Sequence, residues 1–363
     1  MKRVFSGTVA VLIATVLFLP CEVRAISAKK AVLMDADTGR LLYEKDADSR
    51  SLIASTTKIM TALLICEQCN VLDRMKIPAE AVGIEGSSMY LREGEVLTLQ
   101  ELLYGLMLSS GNDAAVALAI YCGGTVEGFV QMMNDKAFRL GLQGTHFENP
   151  NGLDSPNHYS TARDLAVLAA YAMKNSIFYQ TVSTKSVRFG GRGLQNHNKL
   201  LWRVDGADGV KTGYTKAAGR ILVSSATRQG RRLICVTIND GNDWQDHSNL
   251  LEEGFSRYTP NQIVEQGECM GTVSVLGGES ERVQLLAAED FVYPLTAEEN
   301  PEILLSGPGF VYAPVVQGQE AGVGYVCLDG KVVGKVSLVY GQTVEYEKIQ
   351  KRSFWKRLFG GTP

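Results

Sequence analysis

Three short strings in a fixed order constrain this chain more than any other feature. Ser55-Thr56-Thr57-Lys58 opens one apolar stretch, Ser110-Gly111-Asn112 opens a second, and Lys211-Thr212-Gly213 follows. They read S-x-x-K, S-x-N and K-T-G. Each string alone is weak: S-x-x-K recurs at Ser27 to Lys30 and at Ser353 to Lys356, and S-x-N recurs at Ser155-Pro156-Asn157. Ser27 sits just beyond a candidate cleavage point, Ser353 lies in the terminal tail, and Ser155 adjoins a proline in a polar loop. Only Ser55 and Ser110 stand at the start of candidate buried helices, so the ordered trio carries what single matches do not.

The residue types have a chemical logic. A serine hydroxyl is a poor nucleophile until a base takes its proton. Three positions separate Ser55 from Lys58, so one helical turn brings both side chains to the same face. A lysine base must be neutral, and its ordinary pKa is about 10.4. Burial and a second cation both disfavour the charged form, and Lys211 is the candidate second cation. Gly213 has no side chain, which lets an extended peptide lie against its strand by β-augmentation. Lys211 and Thr212 would then face a carboxylate. The alternatives are that Lys211 is a surface lysine after Asp208-Gly209 and that Ser110-Gly111-Asn112 is a plain helix cap.

Hydrophobic periodicity outlines the frame. Lys30 to Tyr43 predicts a hairpin turning at Asp37-Thr38-Gly39. Helices are predicted from Ser55, over Thr98–Leu108, Asn112–Tyr121, Val126–Leu140 and Thr161–Lys174. After Lys211 the period switches to that of strands, with Ile221–Ala226 and Leu233–Ile238 flanking a Gln229-Gly230 turn and Asn249–Tyr258 closing as a helix. Strands at both ends with helices between predict an α+β unit whose terminal strands share one antiparallel sheet, spanning residues 26–258. Residues 259–346 alternate at strand period, at Cys269–Val275, Arg282–Leu286, Val311–Val316 and the hairpin Tyr325–Tyr340, and predict a small all-β domain.

The two ends differ from the rest. Residues 1–25 have Lys2 and Arg3 ahead of an apolar Val9–Leu19 core and end at Val23-Arg24-Ala25, the pattern of a secretory leader. Cys21 invites a lipoprotein reading, but Pro20 directly before it fits poorly. The tail, residues 347–363, carries Lys348, Lys351, Arg352, Lys356 and Arg357. On a helix its Phe354, Trp355, Leu358 and Phe359 share a face, which suits a membrane interface; the alternative is a frayed, solvated terminus.

Composition excludes several classes. A formal charge of −3 over 363 residues gives no nucleic-acid signal. The four histidines are scattered and none lies in G-x-S-x-G, against a Ser-His-Asp hydrolase. Cys66-Glu67-Gln68-Cys69 has the spacing of a metal or redox pair, but no second Cys or His pair completes a zinc site, and small buried side chains are the simpler reading. No metal or organic cofactor is implied.

Longer strings carry a family resemblance: Ala54 to Thr61, Ser110-Gly111-Asn112-Asp113-Ala114, Asn151-Gly152-Leu153-Asp154 followed by Tyr159 to Asp164, and Asp208 to Thr215. The sequence resembles the low-molecular-mass penicillin-binding proteins that are D-alanyl-D-alanine carboxypeptidases. The resemblance implies a transpeptidase-like α+β domain, a β-rich second domain, an amphipathic tail, and action outside the cytoplasmic membrane on peptidoglycan stem peptides, with β-lactams as inhibitors. Ser55 would attack the penultimate D-alanine, with Lys58 as base and Ser110 relaying a proton to the leaving amine. Asn112 would hold the substrate amide, Lys211 would polarise the site, and Thr212 would bind the terminal carboxylate. Gly213, Tyr214 and Thr215 would line the substrate strand, with the backbone N–H groups of Ser55 and Tyr214 as the oxyanion hole. Relatives often add an arginine after the K-T-G hairpin to clamp the carboxylate; here Asn239 to Trp244 holds no basic residue. The balance between carboxypeptidase, endopeptidase and transpeptidase work therefore stays open. A serine β-lactamase is the enzymatic rival, with Glu148 the one tempting deacylating glutamate, and a non-catalytic wall-binding protein is the other class.

Overall fold

A computed structural model describes residues 26–348. The leader and nearly all of the tail lie outside the described residues. In chain order the first unit contains β1 (Lys30–Asp35), β2 (Leu41–Lys45), α1 (Lys58–Gln68), β3 (Arg74–Lys76), β4 (Val96–Thr98), α2 (Leu99–Leu108), α3 (Asn112–Gly123), α4 (Val126–Arg139), α5 (Ala162–Ala172), α6 (Ser176–Ser183), β5 (Ser186–Phe189), β6 (Arg192–Gln195), β7 (Ala207–Thr215), β8 (Gly219–Arg228), β9 (Arg231–Ile238) and α7 (Asp243–Arg257). Its main sheet has the order β2-β1-β9-β8-β7, antiparallel throughout. The N-terminal hairpin thus joins a strand some two hundred residues later, with Leu33 opposite Cys235.

The continuous apolar run Ala31 to Met34 is explained by cover on both sheet faces. Val32 and Met34 pack with α1 to α6, whereas Ala31 and Leu33 pack with Leu250 and Leu251 of α7. Helix α1 is buried around its whole circumference from Lys58 to Cys66, which makes it the central helix. Thr98 and Glu101 form a reciprocal capping box at the start of α2, and Thr161 caps α5 by accepting from the Asp164 N–H. These caps fix where the helices begin, and so where their first residues point.

The second unit is all-β. Its strands are β10 (Thr259–Val264), β11 (Cys269–Leu276), β12 (Arg282–Ala287), β13 (Phe291–Leu295), β14 (Glu302–Ser306), β15 (Phe310–Tyr312), β16 (Glu320–Leu328) and β17 (Lys331–Tyr340). Six of them form one sheet in the order β14-β16-β17-β12-β11-β15, and β10 pairs with β13. Arg40, from the β1–β2 turn, ties the two units together. Its guanidinium bonds the Glu299 carboxylate and the Pro294 carbonyl and sits 5.1 Å from the Tyr258 and Tyr293 ring centres.

Two sequence expectations are corrected. α7 begins at Asp243 rather than Asn249, because its first turns are polar and acidic and show no apolar period. The strand expected over Val311–Val316 stops at Tyr312, where Pro314 has no N–H to give to a ladder. α6 and the β5–β6 hairpin were not legible, both being too short for a periodic pattern.

Candidate active site

The nucleophile candidate sits on a constrained turn. Ser55 lies in a 3₁₀ turn, Ala54–Thr57, that runs directly into α1. Thr57 Oγ1 bonds the Ala54 carbonyl at 2.9 Å and His158 Nε2 at 2.7 Å. Ala54 is left-handed at φ 45°, and Gly152 at φ 88° presses on the same turn. A Cβ on Gly152 would lie 1.9 Å from the Ala54 oxygen, so only glycine fits.

Lys58, the first residue of α1, has no solvent exposure. Its Nζ lies 2.9 Å from Ser55 Oγ, 2.7 Å from Asn112 Oδ1 and 2.5 Å from the Asn151 carbonyl oxygen. Burial first, and then the neighbouring Lys211 charge, push this amine well below the usual lysine range, opposed by Asp113. A neutral amine has two N–H bonds and one lone pair. Asn112 Oδ1 and the Asn151 carbonyl can only accept, so they take the two N–H groups, and the lone pair is left for the Ser55 hydroxyl proton.

Ser110 is left-handed at φ 60°, a conformation that turns its side chain into the cleft ahead of α3. Asn112 is the first residue of α3, and its amide is engaged at both ends: Nδ2 donates to the Glu85 carbonyl at 2.5 Å while Oδ1 accepts from Lys58. It orients the Lys58 amine more directly than it faces the cleft.

Strand β7 forms the sheet edge and carries Lys211, Thr212, Gly213, Tyr214 and Thr215. Lys211 is buried, not a surface residue, and burial brings its amine down to about 7. Gly213 has a reason the sequence did not supply. A Cβ there would lie 3.3 Å from the Ile53 oxygen, the Ser55 nitrogen and Thr56 Cγ2, so the glycine lets β7 pack against the Ser55 turn. Thr212, Gly213 and the exposed Tyr214 line a cleft of about 580 Å³ together with Ser55 and Ser110. Thr215 is bonded to Asp154 at 3.1 Å and braces β7 against the loop that holds Gly152.

Five further lining residues escaped sequence reasoning: Ser87, His197, Arg220, Asp243 and Trp244. Arg220 matters most. It stands opposite Tyr214 in the β7–β8 register. Its Nε donates to Asp243 Oδ2 at 3.1 Å and its Nη2 to Asp243 Oδ1 at 2.5 Å, with the Trp244 ring 5.8 Å away. The sequence signal is its place directly after Gly219 at the start of β8, beside the K-T-G strand. Glu148, by contrast, bonds Ser155 and Asn157 and shapes its own loop.

Comparisons with known proteins identify the family. A family model described as D-alanyl-D-alanine carboxypeptidase matches residues 19–242. This chain belongs to that family. The carboxypeptidase is 32% identical over 356 residues to the D-alanyl-D-alanine carboxypeptidase DacF of Bacillus subtilis, covering 93% of this chain and 90% of the relative. It is 36% identical over 295 residues to DacD of Escherichia coli, covering 77% of this chain and 76% of that one. Residues 258–346 match the C-terminal domain of penicillin-binding protein 5. Among solved structures, penicillin-binding protein 5 from Haemophilus influenzae superposes with a TM-score of 0.77 at 31% identity, covering 88% of this chain and 98% of that one. The carboxypeptidase is a serine-type, penicillin-binding D-Ala-D-Ala hydrolase of peptidoglycan, working outside the cytoplasm.

Proposed function

We propose that Ser55 is the acylated residue and that Lys58, as free base, drives both halves of the reaction. Ser55 Oγ bonds to the carbonyl carbon of the penultimate D-alanine while its proton passes to Lys58 Nζ. The Ser55 N–H, held against β7 at Gly213, and the Tyr214 N–H stabilise the oxyanion. As the C–N bond breaks, the proton travels from Lys58 through Ser110 to the departing D-alanine amine. Water, deprotonated by the same lysine, then releases the shortened stem peptide. Asn112 orients Lys58. The observation that carries this reading is the geometry of the Lys58 amine: two fixed acceptors and one remaining direction, 2.9 Å from Ser55 Oγ.

The substrate strand adds to the free edge of β7, and its terminal carboxylate meets Thr212, Lys211 and Arg220. Arg220 supplies from β8 the clamp that the segment after β9 lacks, which favours removal of a free terminal D-alanine over cross-link cleavage. The β-lactamase alternative loses its glutamate, because Glu148 is engaged elsewhere. The test is incubation with diacetyl-Lys-D-Ala-D-Ala. Free D-alanine should accumulate, and fast penicillin turnover without D-alanine release would overturn the reading.

Residues 1–25 act in this account as the export leader, 26–258 as the peptidase unit, 259–346 as the β domain, and 347–363 as an amphipathic tail on the outer face of the cytoplasmic membrane. Removing 348–363 should abolish sedimentation with anionic vesicles; unchanged sedimentation would refute the tail's role.

A further inference from the structure

We propose that Cys69 and Cys122 are a disulfide-forming pair that staples α1 to α3 once the chain has left the cytoplasm. The inference rests on the extracytoplasmic site of action, but not on any assigned role in catalysis.

Both helices start at the catalytic cleft. Lys58 is the first residue of α1 and Asn112 the first of α3, and their side chains meet at 2.7 Å. Cys69 caps the far end of α1, eleven positions after Lys58, and Cys122 lies in the last turn of α3, ten positions after Asn112. At 1.5 Å per residue both cysteines lie about 16 Å along their helices from the shared contact, and both pack against the same hydrophobic core. The two thiols are close enough for each to shift the other's ionisation. An independent contact fixes the same approach: Tyr121, next to Cys122, donates from Oη to Asp73 Oδ2 at 3.0 Å in the segment following α1.

The C-x-x-C spacing suggested Cys66 as the partner of Cys69. Cys66 is instead buried on α1, with burial raising its thiol to about 12. Cys69 and Cys122 are both partly open to solvent, which an exchange partner requires. Burial raises both thiols, Cys122 to about 12, and the neighbouring Cys122 offsets part of the rise at Cys69, so Cys69 is the thiol that attacks first.

The reaction is an exchange. Cys69 thiolate attacks the disulfide of an oxidised thiol–disulfide exchange protein, or of glutathione in vitro, and one thiol leaves. Cys122 thiolate then displaces the second thiol and the Cys69–Cys122 bond forms. Two protons and two electrons leave the protein, and the donor is reduced to two thiols. The loop closed by the bond contains the α2 helix and the Ser110 turn, so cross-linking restricts the unfolded chain while leaving the cleft untouched.

The test uses the full chain, reduced and then equilibrated with a glutathione disulfide buffer. The oxidised protein should be about 2 Da lighter, and non-reducing peptide mapping should recover a peptide joining Cys69 to Cys122. Oxidation should raise the melting temperature by on the order of 5 °C. Cys69→Ser should lose both the link and the shift, while Cys66→Ser should keep them. Two readily alkylated thiols at Cys69 and Cys122 after oxidation, or a link involving Cys66, would overturn the proposal. Penicillin labelling of Ser55 in the same samples separates this outcome from failure of the catalytic reading.

Discussion

Arg220 on β8 is gripped by Asp243, the first residue of α7, through two N–H···O bonds that hold its guanidinium at the mouth of the cleft. The pair joins a strand to a helix N-terminus, where an acid is already favoured. One carboxylate positions the cation, and the outward face of the guanidinium is left for a second.

That arrangement makes a specific prediction about substrate ends. Arg220→Ala should raise KM for a D-Ala-D-Ala peptide by about 10- to 100-fold, the range expected for a charge-assisted hydrogen bond. The effect should vanish with a peptide whose terminal carboxylate is a carboxamide. Asp243→Ala should give a weaker version of the same change. Equal losses on both peptides would show that Arg220 acts on the fold and not on the carboxylate.

Lys58 and Lys211 give opposite limbs to the pH dependence. In the proposed reaction Lys58 must be neutral to accept the Ser55 proton, and its amine is held well below the usual lysine range, so its limb lies on the acid side. Lys211 must be charged to attract a carboxylate, and burial sets its amine at about 7, so kcat/KM should fall as pH rises through that value. Lys211→Arg keeps a cation that does not titrate in this range. It should lower the maximum rate but remove the alkaline limb; an alkaline limb that stays in place would assign it to another group.

Gly152 tests whether the Asn151-Gly152 loop sets the nucleophile's turn. Gly152→Ala places a methyl against the Ala54 oxygen at a backbone angle unfavourable to any side chain. Stability should drop by about 2 kcal/mol or more. Penicillin acylation should slow by roughly 100-fold through displaced Ser55 and Lys58. Urea unfolding and acylation kinetics measure the two effects, and an unchanged acylation rate would release the loop from this role.

Much of this site was readable from the chain because its chemistry is local. Ser55 and Lys58 sit one turn apart, so a spacing of three already implies their contact. Thr98 and Thr161 announce their helices by cap chemistry that needs no tertiary information. The meeting of Lys58 with Asn112 and the Asn151 carbonyl was less accessible, since it depends on how α1, α3 and a loop pack. Arg220 was missed because its meaning comes from Asp243, 23 positions away, and from the β7–β8 register. Gly213 was assigned to the substrate alone, whereas its closest neighbours belong to the Ser55 turn. In each case the local residue was visible and the long-range partner was not.

The central claim is that a neutral Lys58 deprotonates Ser55, and its most direct measurement is the rate and site of penicillin acylation. Intact-mass kinetics with peptide mapping should find one penicilloyl group on Ser55 in the wild type and none in Ser55→Ala. Lys58→Arg, which keeps a charge but cannot supply a lone pair, should acylate at least about 1,000-fold more slowly. An adduct that persists in Ser55→Ala, or forms at the wild-type rate in Lys58→Arg, would contradict the account.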